Sequence, residues 1–224
     1  LTSFMEGDAN RIAIGYNAMR DSGGSGSIAI GEYAGAQSIN EKNIAIGSYA
    51  GYYHLNFAEK HEHIAIGSSA GAYGESSAYT ISIGTEAGHT AQNSEAIAIG
   101  RQAGITGQGS QAIAIGYLAG ASGQGRASIA IGMQAGGSAQ DNSAIAIGNL
   151  AGACGQGRAS IAIGTDSGYD NQDNSAIAIG ALAGNRLQGK QAIAIGDKAG
   201  FTTQLEKAIA IGLNAGHNSR ASKA

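Results

Sequence analysis

Along most of the chain large and small apolar residues alternate for a few positions and then stop at a glycine. The phrase Ala-Ile-Ala-Ile-Gly reads unbroken at residues 112–116, 144–148, 176–180, 192–196 and 208–212. Copies with the first isoleucine as marker begin at Ile12, Ile28, Ile44, Ile64, Ile81, Ile97, Ile113, Ile129, Ile145, Ile161, Ile177, Ile193 and Ile209, 13 in all. Ten of the twelve intervals are 16 residues; the exceptions are 20 (Ile44 to Ile64) and 17 (Ile64 to Ile81). Period-two alternation marks a strand with two unlike faces: both isoleucines point one way, and the alanine between them points the other way together with the residue before the marker. β-Branched side chains favour a strand, and two glycines per repeat disfavour a helix.

A glycine follows the second isoleucine in every copy, from Gly15 to Gly212, and four residues later a second glycine closes an Ala-Gly pair such as Ala119-Gly120 in all but the first coil, which has Ala18-Met19, while Ser167-Gly168 varies only the alanine. Glycine at one fixed phase marks a corner that needs positive φ or close backbone approach. Two short strands per repeat, turned at glycine, predict an all-β fold. It is a parallel β-roll, or β-solenoid, of 13 coils with a 16-residue period. Coils stacked at the spacing of paired strands would make a rod roughly 60 Å long. The repeat positions that define a coil are Ile113, Ile115, Gly116, Ala119, Gly120 and Gln124. Glutamine recurs 11 residues after the marker from Gln92 to Gln204, where stacked amides can bond along a column. The plainer alternative is a duplicated solvent-facing turn residue.

The repeat overrides the one-or-two-domain prior of a 224-residue chain and predicts one repeat domain over residues 12–216. Residues 1–11 are expected to form a cap or linker, with Phe4 and Met5 covering the first coil, and residues 217–224 a frayed tail. Charged residues make up 13%, and the net charge of −3 favours neither nucleic acid nor an anionic membrane. Apolar runs of about five residues are far short of the ~20 that span a bilayer, so no membrane insertion by this segment is expected. Zero proline suits a ladder in which interior amides must donate. Cys154, the sole cysteine, reads as a neutral small residue at a variable turn position.

The coil from Ile44 to Ile64 is the irregular one. Its turn, residues 51–63, carries extra length together with Tyr52, Tyr53, His54, Phe57, His61 and His63. These six are the candidate binding residues, because binding is disproportionately carried by loops on a rigid scaffold. A tolerated insertion is the bland alternative. His61-Glu62-His63 lacks a third ligand, and no metal or other cofactor is expected. No carboxylate pair repeats at one phase and no triad is arranged, so no enzyme is expected. The Gly-Gln-Gly-Arg stretches lack the Lys-Ser/Thr pair and following helix of a phosphate loop.

The phrase Ile-Ala-Ile-Gly-x-x-Ala-Gly, with Asn142-Ser143 leading into Ala144-Ile145-Ala146-Ile147-Gly148, resembles the head repeats of trimeric autotransporter adhesins, the YadA-like heads. Similar Ala-Ile-Gly repeats occur in phage and large-virus fibre proteins. The resemblance covers residues 12–216 and implies a left-handed β-roll assembled as a homotrimer. It also implies an extracellular location, on a cell or virion surface, and attachment to a host receptor, glycan or matrix protein. The family's coils are commonly a little shorter, with Ser or Ala at the second glycine. The flat alanine face independently favours close approach of a neighbour, although the pattern leaves open whether the Ile or the Ala face meets it. The alternatives are a structural filament or spacer, and an ice-binding solenoid, which the lack of a threonine column disfavours.

Overall fold

The computed structural model describes residues 10–20, 25–38, 42–54, 62–73 and 77–217. Phe4, Met5 and the tail from 218 onward lie outside them. The described chain is all-β: parallel strands stack as a β-solenoid of about 11 turns, with no helix. It divides into two compact units, residues 1–111 and 112–224.

Residues 112–224 are the more regular unit. Seven Ile-Ala-Ile strands, at Ile113–Ile115, Ile129–Ile131, Ile145–Ile147, Ile161–Ile163, Ile177–Ile179, Ile193–Ile195 and Ile209–Ile211, pair in parallel. Their register sets isoleucine on isoleucine and alanine on alanine throughout. A second sheet is built from Ser122–Gln124, Ser138–Gln140, Cys154–Gln156, Asp170–Gln172 and Arg186–Gln188. These strands pair only through their first and last residues. The middle residue is left-handed in each, at φ 67° in Gly123 and Gly155, 55° in Ala139, 54° in Asn171 and 52° in Leu187. The second strand is thus a kinked half-ladder rather than an ordinary strand.

In residues 1–111 six equivalent strands pair in the same register, and the long interval leaves the ladder intact: Ile44 lies on Ile64, and Ile64 on Ile81. The extra residues are absorbed in the turns, where loop length carries a small free-energy penalty. The second sheet here is fragmentary. Gln37–Ser38 pairs with Tyr53–His54, and single bridges link Tyr53 to Tyr73, Tyr73 to Thr90, and Thr90 to Thr106.

The corner glycines satisfy both reasons for their presence. Their φ lies between 117° and 135° in every coil, a region that side-chain-bearing residues rarely enter. A Cβ on Gly148 would also stand 2.6 Å from the carbonyl oxygen of Gly164 on the next coil.

The core is made of small residues. In unit 2 the strand-centre alanines from Ala114 to Ala194 are fully buried, as are Ala119, Ala135, Ala151, Ala183 and Ala199 of the Ala-Gly pair. The isoleucines face outward, half-buried or exposed. At the strand centre the lumen holds only alanine, or serine at Ser82, and the isoleucines on either side of it are turned to the outer surface. Glutamine fills what alanine leaves. Each repeat glutamine is buried; Gln156 is 1% exposed. In unit 2, from Gln124 to Gln204, each Nε2 donates across the coil to the carbonyl oxygen of its own marker isoleucine at 2.7–2.8 Å. Amide-to-amide bonds then join Gln140 to Gln156 (3.1 Å), Gln156 to Gln172 (3.3 Å), Gln172 to Gln188 (3.0 Å) and Gln188 to Gln204 (3.2 Å). The column is therefore internal, and it ties the second sheet to the first.

Candidate attachment surface

Of the six candidate binding residues, Phe57 and His61 lie outside the described residues, and for His54 only the backbone is described, paired with Ser38. Tyr52 and Tyr53 are half-buried at the second corner of their coil. His63 is not displayed beside them. It occupies the position before the marker isoleucine, which faces the lumen, and is 4% exposed. Its amide donates to Asn43 Oδ1 at 2.9 Å, and its Nδ1 lies 2.8 Å from Thr80 Oγ1. Its neighbour Glu62 points the other way and pairs with Lys42 at 3.0 Å, two exposed groups whose pairing contributes little. Strand alternation thus separates Glu62 from His63, and no group of three His, Cys, Asp or Glu among the described residues is placed to hold a metal ion.

Tyr52 instead joins a set of rings that runs along unit 1. Tyr16 meets Tyr33 edge-on at 5.6 Å, and Tyr33 stacks on Tyr49 at 5.0 Å with 17° between the planes. Tyr52 packs against Tyr49 at 5.3 Å and Tyr33 at 6.2 Å. Tyr73 follows at 6.4 Å from Tyr52, and His89 at 5.1 Å from Tyr73. Six rings in van der Waals succession form a continuous strip, each such pair contributing about 0.5–1.5 kcal/mol beyond its area. Three rings remain open to solvent: Tyr16 (67% exposed), Tyr73 (44%) and Tyr49 (39%). Loss of water around the Tyr49 phenol raises its pKa above 10.0, and Tyr33, Glu32, Tyr52 and Tyr73 push it the same way by disfavouring a negative charge.

The strip was only partly readable from the repeat. Tyr33 and Tyr49 are 16 residues apart and so had to share a column on adjacent coils. Tyr73 belongs to it through the 20-residue interval, which matches Tyr53 with Tyr73, and His89 through the 17-residue interval, which matches Tyr73 with Thr90.

The structural-repeat positions sit as one coil. Ile113 and Ile115 face out, half-buried; Ala119, Gly120 and Gln124 face in; Gly116 turns the corner at φ 128°. Unit 2 carries two further surface features. Cys154 is exposed at the start of its strand, in register with Ser138 and Asp170. An open groove is lined by Gly155, Gly157, Asn171, Asp173, Leu187 and Gly189.

Unit 2 also presents an isoleucine face. Seven strands with two outward isoleucines each place fourteen in two straight columns. Comparison with protein-family models, curated proteins and solved structures finds no match to the chain.

Proposed function

We propose that the chain is a segment of a surface-exposed attachment fibre, a left-handed β-roll of 13 coils that assembles as a homotrimer through its isoleucine face. The observation that carries this reading is the inverted distribution of apolar bulk. Alanine and glutamine fill the coil, while the branched side chains line a regular outer face that the single chain leaves half-exposed. Contiguous apolar surface of this kind marks an interaction site. Covering what remains open on fourteen isoleucines would contribute on the order of 1 kcal/mol each, enough to offset an association penalty of about 4–15 kcal/mol. The aromatic strip supports attachment as the task, since tyrosine offers large contact area with little side-chain entropy to lose. Attachment implies an extracellular setting, with a host receptor, glycan or matrix protein as partner.

The test is the solution mass by light scattering after size exclusion, together with binding to cell and matrix surfaces. A mass of three chains is expected, falling toward one chain in the Ile145→Ser/Ile161→Ser/Ile177→Ser variant. A wild-type monomer that attaches to no surface would sink the proposal. The strict 16-residue period of unit 2 favours a second, length-setting role for that part. Deleting residues 129–160 should then leave attachment unchanged.

A further inference from the structure

We propose that the aromatic strip of unit 1 is a binding site for a neutral saccharide chain, a reading that deepens the attachment proposal and rests on it. Sugars present C–H groups on their ring faces, which pack on the negative face of an aromatic ring, and hydroxyls at their rims, which need both donors and acceptors. The strip offers both kinds of contact. Tyr16, Tyr49 and Tyr73 expose ring surface, and their phenols donate and accept.

The two columns that carry the first three rings are polar but not cationic. One runs Tyr16, Glu32, Ser48, Ser68, Thr85, and the other Asn17, Tyr33, Tyr49, Ser69, Glu86. Their backbones stack coil on coil: the Tyr49 amide donates to the Glu32 carbonyl, the Ser69 amide to Ser48, and the Glu86 amide to Ser68. The hydroxyl and carboxylate groups therefore line up beside the rings. Neither column holds a lysine or arginine from Tyr16 to Glu86, so nothing in them would select a sulfated or phosphorylated ligand.

Shape favours a chain-like ligand. Successive rings are 5.0–6.4 Å apart, and the open ones, Tyr16, Tyr49 and Tyr73, alternate with half-buried Tyr33 and Tyr52, so a linear glycan of several units would be needed to reach all three. A protein partner usually needs about 800 Å² on each side, broader than a strip one or two side chains wide. The rings are already packed on one another before any ligand arrives, so little side-chain entropy remains to be lost on binding.

The experiment begins with the whole chain on an array of neutral oligosaccharides, including cellohexaose, chitohexaose and maltohexaose, with heparin as the anionic control. Affinity for the best neutral hit is then measured by calorimetry for wild type, Tyr16→Ala/Tyr73→Ala and Tyr117→Ala. The expected result is at least tenfold weaker binding in the double variant and unchanged binding in Tyr117→Ala, whose ring lies in the other unit. Circular dichroism and melting establish that each variant is folded. If the double variant does not fold, Tyr16→Ala alone, on the most exposed ring, takes its place. Binding to no neutral oligosaccharide overturns the proposal, as does heparin as the sole hit or an unaltered affinity in a folded variant. Attachment to cells treated with glycosidases or with protease separates the two proposals. Attachment lost only after protease overturns the saccharide and leaves the attachment function standing. A chain that binds the array but no cell surface does the reverse.

Discussion

Replacing Gln156 tests whether the buried amide column holds the solenoid together or merely fills it. The side chain takes part in three hydrogen bonds: to the Ile145 carbonyl at 2.7 Å, to Gln172 Oε1 at 3.3 Å, and from Gln140 Nε2 at 3.1 Å. At about 1 kcal/mol net per bond, Gln156→Ala loses about 3 kcal/mol, and the space left among alanines adds roughly 1 kcal/mol more. Gln156→Leu refills most of that space but still abandons the same buried polar groups. It should therefore lose about 3 kcal/mol, nearly as much as alanine. The assay is guanidinium unfolding at one fixed protein concentration, because self-association would add its own stability. Amide exchange across residues 145–172 locates the damage, since a repeat array opens locally around its weakest coil. The double variant Gln156→Leu/Gln172→Leu should fall short of additivity by about 1 kcal/mol, because the bond between the two is counted in both single changes. A Gln156→Leu protein within about 1 kcal/mol of wild type would refute the reasoning and reduce the glutamines to packing volume.

Two further predictions follow from the geometry. Gly148→Ala should destabilise more than Gly212→Ala by chemical denaturation, because both have positive φ (132° and 117°) but only the first would drive a Cβ to 2.6 Å from a neighbouring carbonyl. Equal losses would mean that backbone conformation, not clash, imposes glycine at the corner. Alkaline titration followed by tyrosinate absorbance should show a late-ionising phenol that disappears in Tyr49→Phe. Because the folded pKa of Tyr49 is raised, its stabilising contribution is complete below pH 10.0 and is lost as pH rises through the folded value; a contribution that grows with pH would contradict the packing described.

The period, the strands and the corners were legible because they are local. Ile-Ala-Ile-Gly dictates two faces and a turn whatever surrounds it, and residues stacked 16 apart must share a column. Which face is inside was not legible, because alternation is symmetric and ordinary burial preferences would have put isoleucine in the core. Variation does not decide it either, since both isoleucine positions are invariant while the strand centre is alanine in every coil but Ser82. What separates the two is size: the structure buries the methyl-sized position and leaves the isoleucines outside. His63 is a second case. It was grouped with its loop neighbours by sequence proximity, yet its phase, one before the marker isoleucine, is that of buried Ser27, Thr80 and Ser128. The aromatic strip needed adjacency across four different phases of the coil, and strict periodicity does not encode that.

The small core has a consequence for how this fold is stabilised. Alanine buries little area, so each coil gains less from the hydrophobic effect than a repeat of 16 residues built on leucine or isoleucine would. What it gains instead is closeness: methyl-sized interiors let the two sheets approach until a glutamine from one reaches the carbonyls of the other. The isoleucines are turned outward, and the surface they form is straight because the register beneath it is strict. The proposed covering of that surface by another copy and the proposed grip of the aromatic strip on a ligand are thus separable. The first depends on the two isoleucine columns of every coil, the second on side chains held at the turns. An Ile→Ser variant that dissociates while its chains still bind the array's oligosaccharides would show that separation directly.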